Sequence, residues 1–121
     1  MNLSWVTLTV KNMDESLNFY TEVLGLTLLD RRPAGPQMEL AFLGDGETKL
    51  ELVCNQAVTS FDMGQSISLG FSVASVDQSM ATLTEKGIAI HSGPFQPAPY
   101  IRFFFILDPN GLKIQLIEHL A

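Results

Sequence analysis

The chain has 121 residues, with 7 Lys and Arg against 13 Asp and Glu, so its formal net charge is −6 at neutral pH. Hydrophobic residues make up 46% and charged residues 17%, a balance that specifies a folded domain and excludes a disordered chain. Seven scattered cations cannot assemble the basic patch that nucleic acid requires, and a single cysteine, Cys54, excludes an internal disulfide framework. The N-terminus has neither a cationic start nor an apolar signal core, and the longest apolar run, residues 103–107, is too short to span a bilayer. These features read as a cytoplasmic globular protein with no membrane partner.

In chain order, Val6, Leu8 and Val10 alternate with Trp5, Thr7 and Thr9, which predicts a half-buried strand. Asn12-Met13-Asp14-Glu15 then forms a capping box, and Met13, Leu17, Tyr20 and Leu24 make the apolar stripe of a helix that Gly25 stops. Three strand-like runs follow at 26–30, 38–43 and 49–54, separated by the loop at 32–36 and the hairpin signal Asp45-Gly46. After a polar stretch at 55–66 the same order returns. Ile67, Leu69, Phe71 and Val73 alternate with polar or small residues. Ser75-Val76-Asp77-Gln78 caps a helix with Val76, Met80 and Leu83 on one side, and Gly87 stops it. Runs at 88–91, 100–107 and 113–118 complete the half, with Gly93-Pro94 to Pro99 as a loop and Asn110-Gly111 as a hairpin turn.

The two halves superimpose as sequences. An offset of 63 lays Trp5 on Ser68 and Leu8-Thr9-Val10 on Phe71-Ser72-Val73, and an offset of 64 lays Glu51 on Gln115. The expected fold is therefore α+β, one structural domain made of a first βαβββ module at 1–54, a linker at 55–66 and a second βαβββ module at 67–121. In each module the helix covers the apolar face of the sheet and leaves the more polar face open. The run 38–43 is apolar on both sides, so periodicity does not decide whether Met38, Leu40 and Phe42 or Glu39, Ala41 and Leu43 line the open face.

The doubled unit resembles the vicinal oxygen chelate superfamily, which includes glyoxalase I, the bleomycin resistance proteins and the extradiol dioxygenases. The resemblance rests on Ser16-Leu17-Asn18-Phe19-Tyr20-Thr21-Glu22-Val23-Leu24-Gly25, similar to the pattern S-x-x-F-Y-x-x-x-L-G. It rests equally on Asp108-Pro109-Asn110-Gly111-Leu112-Lys113-Ile114-Gln115-Leu116, similar to D-P-x-G-x-x-I-E-L. It implies that the two modules form a curved mixed sheet around a cavity and that the protein is a homodimer. Glyoxalase-like members hold a divalent metal there, through His or Gln on the first strand and Glu on the last strand of each module. An octahedral ion with hard ligands then presents two open positions to vicinal substrate oxygens.

Carried onto this chain, the four ligand positions are Trp5, Glu51, Ser68 and Gln115. Glu51 is a good ligand and Gln115 could offer a carbonyl oxygen, but Ser68 is a poor ligand and the indole of Trp5 has no acceptor. No cofactor is therefore expected and a divalent metal is disfavoured. An altered metal site would have to use Glu51 and Gln115, helped by His91 or His119. The expected function is metal-independent binding of a small aromatic or cationic molecule. The candidate ligand-binding residues are Trp5, Glu51, Ser68, Arg102, Phe104 and Gln115. Trp5 would act as a stacking wall, Glu51 as a counter-charge, Arg102 as a partner for Glu51 or for an anionic group (or simply as a rim salt bridge), and Phe104 as a wall of the cavity. One alternative is a metal-dependent lyase, isomerase or dioxygenase with an altered ligand set. Another is a metal-free isomerase in which Glu51 is the catalytic base. Cys54 reads as a small buried hydrophobe and Arg31-Arg32 as solvated surface.

Overall fold

The alternation that opens each half becomes an edge strand in the computed structural model, which describes residues 1–121. The chain divides into two compact units, Met1–Asp62 and Met63–Ala121. The first unit runs β1 (Trp5–Thr9), α1 (Met13–Asn18), a π-helical turn (Phe19–Val23), β2 (Leu28–Pro33), β3 (Met38–Leu43) and β4 (Lys49–Asn55). The second runs β5 (Ser68–Ser72), α2 (Val76–Glu85), β6 (Ser92–Ala98), β7 (Ile101–Leu107) and β8 (Lys113–His119). Each unit holds one four-stranded mixed sheet, in the order β1-β4-β3-β2 or β5-β8-β7-β6. The last strand of each unit lies between the first, which it meets in parallel, and the third, which it meets antiparallel. The fold is α+β, two four-stranded mixed sheets with two short helices, and neither helix is long and apolar enough to cross a membrane.

The capping signals work as their chemistry requires. Asn12 Oδ1 accepts from the Glu15 amide at 2.9 Å, and Ser75 Oγ accepts from the Gln78 amide at 3.2 Å. Helix α1 packs on β4, and Leu50 and Leu52 of that strand are buried, as are Met13 and Leu17 of the helix and Tyr20 of the turn that follows. Helix α2 packs on β7 and β8, over a core of Val76, Leu83, Phe104, Ile106, Ile114 and Leu116. The stripe expected along the first helix is modified after Asn18. There the helix widens into the π-helical turn, and the Thr21 hydroxyl donates back to the Leu17 carbonyl at 2.7 Å. The wider turn lets the adjacent Phe19 and Tyr20 both turn inward, edge-to-face with ring centroids 5.1 Å apart, and leaves Leu24 only half-buried.

Two strands lie further along the chain than their sequence suggests. The segment 92–98, expected to be a loop after a strand at 88–91, is itself β6, and β2 extends through Pro33. Both are edge strands bonded on one side only, where a proline without an N–H is tolerated. Both are bulged as well. Four residues of β6 (Ser92 to Phe95) lie opposite three of β7 (Phe105 to Phe103), and Leu29 is the extra residue between the pairs Leu28–Leu43 and Asp30–Phe42.

Each helix is also fastened by charge. Arg31 on β2 reaches Asp14 of α1 at 2.8 Å and Glu39 of β3 at 2.9 Å, and these two hydrogen-bonded carboxylates, Glu39 first, hold its guanidinium pKa above the ordinary arginine value. Arg31 is therefore a tie between three elements and not free surface. In the second unit Arg102 on β7 grips Asp77 of α2 with two bonds of 3.1 and 3.2 Å, and Glu118 Oε1 accepts from the Val76 amide at 2.7 Å.

The β7–β8 turn depends on one buried acid. Asp108 Oδ1 accepts from the amides of Asn110 and Leu112, both at 2.8 Å, and Asp108 is only 5% exposed. Replacing Asp108 with Ala should cost roughly 2–3 kcal/mol, since it strands two buried donors. Asp108→Asn, which keeps an acceptor at the same place, should cost clearly less, and urea denaturation of the two variants checks the order.

Candidate functional site

The period-two geometry of the central strands decides what each open face carries. On β4, Leu50 and Leu52 are buried toward α1, so Lys49, Glu51 and Val53 stand on the opposite face. The register sets Thr7 of β1 and Phe42 of β3 on either side of Glu51, and Trp5 beside Lys49. The set that lines this face is therefore Met38, Leu40 and Phe42, while Ala41 and Leu43 are fully buried on the helix side.

Trp5 is 52% exposed, and its ring meets Phe42 edge-to-face at 5.6 Å. Their strands lie two positions apart in the sheet, about 10 Å, so both side chains lean over β4 beside Glu51. Glu51 Oε1 accepts the Thr7 hydroxyl at 2.6 Å. The nearest cation on the strand, Lys49, turns away and donates to the carbonyls of Gly44 and Gly46 in the β3–β4 turn. Glu51 takes no part in the ion pairs that Arg31, Arg32 and Arg102 make.

In the second unit Gln115 occupies the place equivalent to Glu51, with Gly70 and Phe105 as its neighbours in register. Ser68 is exposed at the start of β5, paired with Lys113 as Trp5 is with Lys49. Gly70 leaves room that a side chain would take: a Cβ there would lie 2.9 Å from Ile117 Cδ1. Phe95, Phe103 and Phe105 form a mutual cluster on this face, with centroids 5.7 to 6.4 Å apart.

Two expected site residues stand elsewhere. Phe104 is fully buried opposite Leu116, and Arg102 shares that helix-covered side with its guanidinium on Asp77. The Asp108 turn fixes Phe105, not Phe104, against Gln115, which turns the even-numbered residues of β7 toward α2. The aromatic residues of this open face are Phe103, Phe105 and Phe95. Laying Phe42 on Phe105 at the repeat offset of 63 would have found the central one, and the bulged Phe95 had no such signal. His91 and His119 are both exposed. His91 borders a cleft of about 330 Å³ lined by residues 87–91 and Leu107, and His119 ends β8 opposite Ile101. Cys54 is half-buried, with its thiol 3.7 Å from the Lys11 carbonyl.

A divalent metal finds little to hold it. The four positions that would carry ligands offer one carboxylate, one carboxamide, one hydroxyl and an indole without an acceptor. No three His, Cys, Asp or Glu side chains come together elsewhere. The donor set does not fit the ion.

The doubled βαβββ architecture and the two open faces define a glyoxalase-type fold. Residues 2–116 match the model of the Glyoxalase/Bleomycin resistance protein/Dioxygenase superfamily, and the chain belongs to that family. It is 35% identical to a lactoylglutathione lyase of Salmonella typhimurium over 98% of this chain and 93% of that protein. It is 30% identical to a probable lactoylglutathione lyase of Synechocystis, over 90% of this chain and 88% of that one. Among solved structures, the trypanothione-dependent glyoxalase I of Leishmania major superimposes with a TM-score of 0.83 at 27% identity, covering 98% and 86% of the two chains. TnmS3, an antibiotic binding protein from Streptomyces, superimposes with a TM-score of 0.78 at 25% identity, covering 98% and 96%.

The assignment of faces on β7 is directly testable. Phe104→Ala should destabilise the protein by about 3–5 kcal/mol, as emptying a core aromatic site does. Phe105→Ala should cost roughly 1–2 kcal/mol, because its ring is already partly in water. Chemical denaturation of both variants measures the difference, and equal losses would mean the faces are wrongly assigned.

Proposed function

We propose that this glyoxalase-family protein binds a small aromatic or cationic molecule without a divalent metal, through the open faces of its units: Trp5 and Glu51 with Phe42 in the first, and Ser68 and Gln115 with the phenylalanines beside them in the second. One observation carries the reading: an indole packed on Phe42 stands where a metal ligand would be needed, next to a carboxylate with no cationic partner. Aromatic rings offer stacking and cation–π faces, and the amide of Gln115 and the hydroxyl of Ser68 can orient a ligand without holding an ion. The likeness to an antibiotic binding protein over 98% of the chain supports binding as a use of this fold.

A second reading is a metal-dependent lyase of the glyoxalase type, favoured by relatives of 30–35% identity called lactoylglutathione lyases. Glu51 and Gln115 would then be the ligands that this chain retains. The two readings separate on metal content. Protein purified without chelator is analysed for bound metal, titrated with Ni²⁺, Zn²⁺, Mn²⁺ and Fe²⁺, and assayed with each for lactoylglutathione formation. The expected outcome is no stoichiometric metal, no metal-stimulated activity, and a change in the emission of the single tryptophan with aromatic probes. Stoichiometric metal with activity that Glu51→Gln abolishes would establish the second reading instead.

A further inference from the structure

We infer that the open face around Glu51 is a receptor for an organic ammonium group, so that the ligand's cation occupies the electrostatic role a metal ion would have had. This deepens the metal-independent binding reading and rests on it.

Three features of the first unit converge on this inference. First, Glu51 carries a charge that nothing in its module neutralises. Its partner is the neutral Thr7 hydroxyl at 2.6 Å, which uses one lone pair of one oxygen. Second, the cation best placed to pair with it is withdrawn. Lys49 stands two residues away on the same face of the same strand, yet its ammonium is bound to two turn carbonyls. The chain thus keeps a carboxylate on this face and fixes the neighbouring lysine elsewhere. Third, the residues that overhang β4 beside Glu51 are aromatic. Trp5 and Phe42 lie edge-to-face with their planes 83° apart, and the indole, 52% exposed, keeps ring surface open to a guest. A carboxylate beside an exposed indole is the chemistry that recognises a substituted ammonium, whose charge is diffuse and whose methylene or methyl groups are apolar.

The second unit supports the assignment by contrast. Its equivalent position is the neutral Gln115, its first-strand residue is Ser68, and its aromatic cluster is three phenylalanines with no carboxylate in register. The face with the acid is the one that has the tryptophan.

The test uses the whole protein and the fluorescence of Trp5, its single tryptophan. Choline and benzyltrimethylammonium are titrated beside 3,3-dimethylbutan-1-ol, the uncharged isostere of choline, and phenol as a neutral aromatic probe. The ammonium probes should bind at least about tenfold more tightly than the isostere, and Glu51→Gln should remove most of that preference. Glu51→Gln keeps an acceptor for Thr7, and circular dichroism verifies its fold. Amide chemical shifts of Thr7, Phe42 and Glu51 should move with the ammonium probes and locate the site independently. Equal affinity for charged and neutral probes, or a preference unchanged in Glu51→Gln, overturns the inference. If phenol binds and the ammonium probes do not, the cation site is wrong while metal-independent binding stands. If none of the probes binds and a divalent ion binds stoichiometrically through Glu51, both fall.

Discussion

Strands β4 and β8 are each hydrogen-bonded on both sides, and almost every other placement in the protein follows from that. A strand in this position cannot slip by one residue without turning its whole apolar set to the wrong face. Leu50 and Leu52 in β4, and Ile114 and Leu116 in β8, must be covered by the helix side of the sheet. The residue between each pair, Glu51 or Gln115, is thereby forced onto the open face. The first and third strands of each unit then bring their neighbours in fixed register: Thr7 and Phe42 in one case, Gly70 and Phe105 in the other. The same packing that stabilises the core dictates the chemistry of the face opposite.

Because the constraint lies in the sheet, the two units could diverge at the helix without losing the fold. Asp14 and Asp77 are equivalent in the repeat, and each is held by an arginine. The arginine comes from β2 in the first unit and from β7 in the second. Arg102 falls at the position of Glu39, a residue of opposite sign that is itself bound to Arg31. Exposed ion pairs of this kind contribute about 0–1 kcal/mol each. Their loss in one place and gain in another is therefore cheap, provided that the buried leucines and isoleucines stay.

Much of this architecture is readable from the residues, and the exceptions have physical causes. The capping boxes, the glycine stops and the inner strands are written locally, since each depends on side chains within a few positions of one another. The equivalence of Glu51 with Gln115 and of Trp5 with Ser68 is legible in the repeat, because duplication carries register as well as composition, whereas their choice as candidate site positions comes from the family resemblance. The edge strands β2 and β6 are misplaced because prolines read as loop signals, and only the sheet reveals that one side of an edge needs no donors. Phe104 and Phe105 cannot be told apart by hydrophobicity. Three consecutive phenylalanines have no alternation, and the turn at Asp108, not the strand itself, decides which of them is buried. Arg31 is misread as surface for a similar reason: its value lies in Asp14 and Glu39, which are distant in sequence.

The contrast between a metal ion and an organic cation comes down to charge density. A divalent ion is strongly hydrated and gives up water only for several hard donors in a defined geometry. One carboxylate beside an indole and a threonine hydroxyl, as on the face around Glu51, cannot supply that exchange. A substituted ammonium carries a single charge spread over a larger, partly apolar surface, so its loss of hydration is offset by far less. Each cation–π contact supplies roughly 0.5–2 kcal/mol depending on exposure, and one unpaired carboxylate adds attraction without requiring a coordination sphere. On the proposed metal-independent reading, Trp5 at a ligand position with Glu51 kept would do more than weaken a metal centre. It would retain the negative potential, line it with aromatic carbon instead of lone pairs, and so favour soft, extended cations over hard, compact ones.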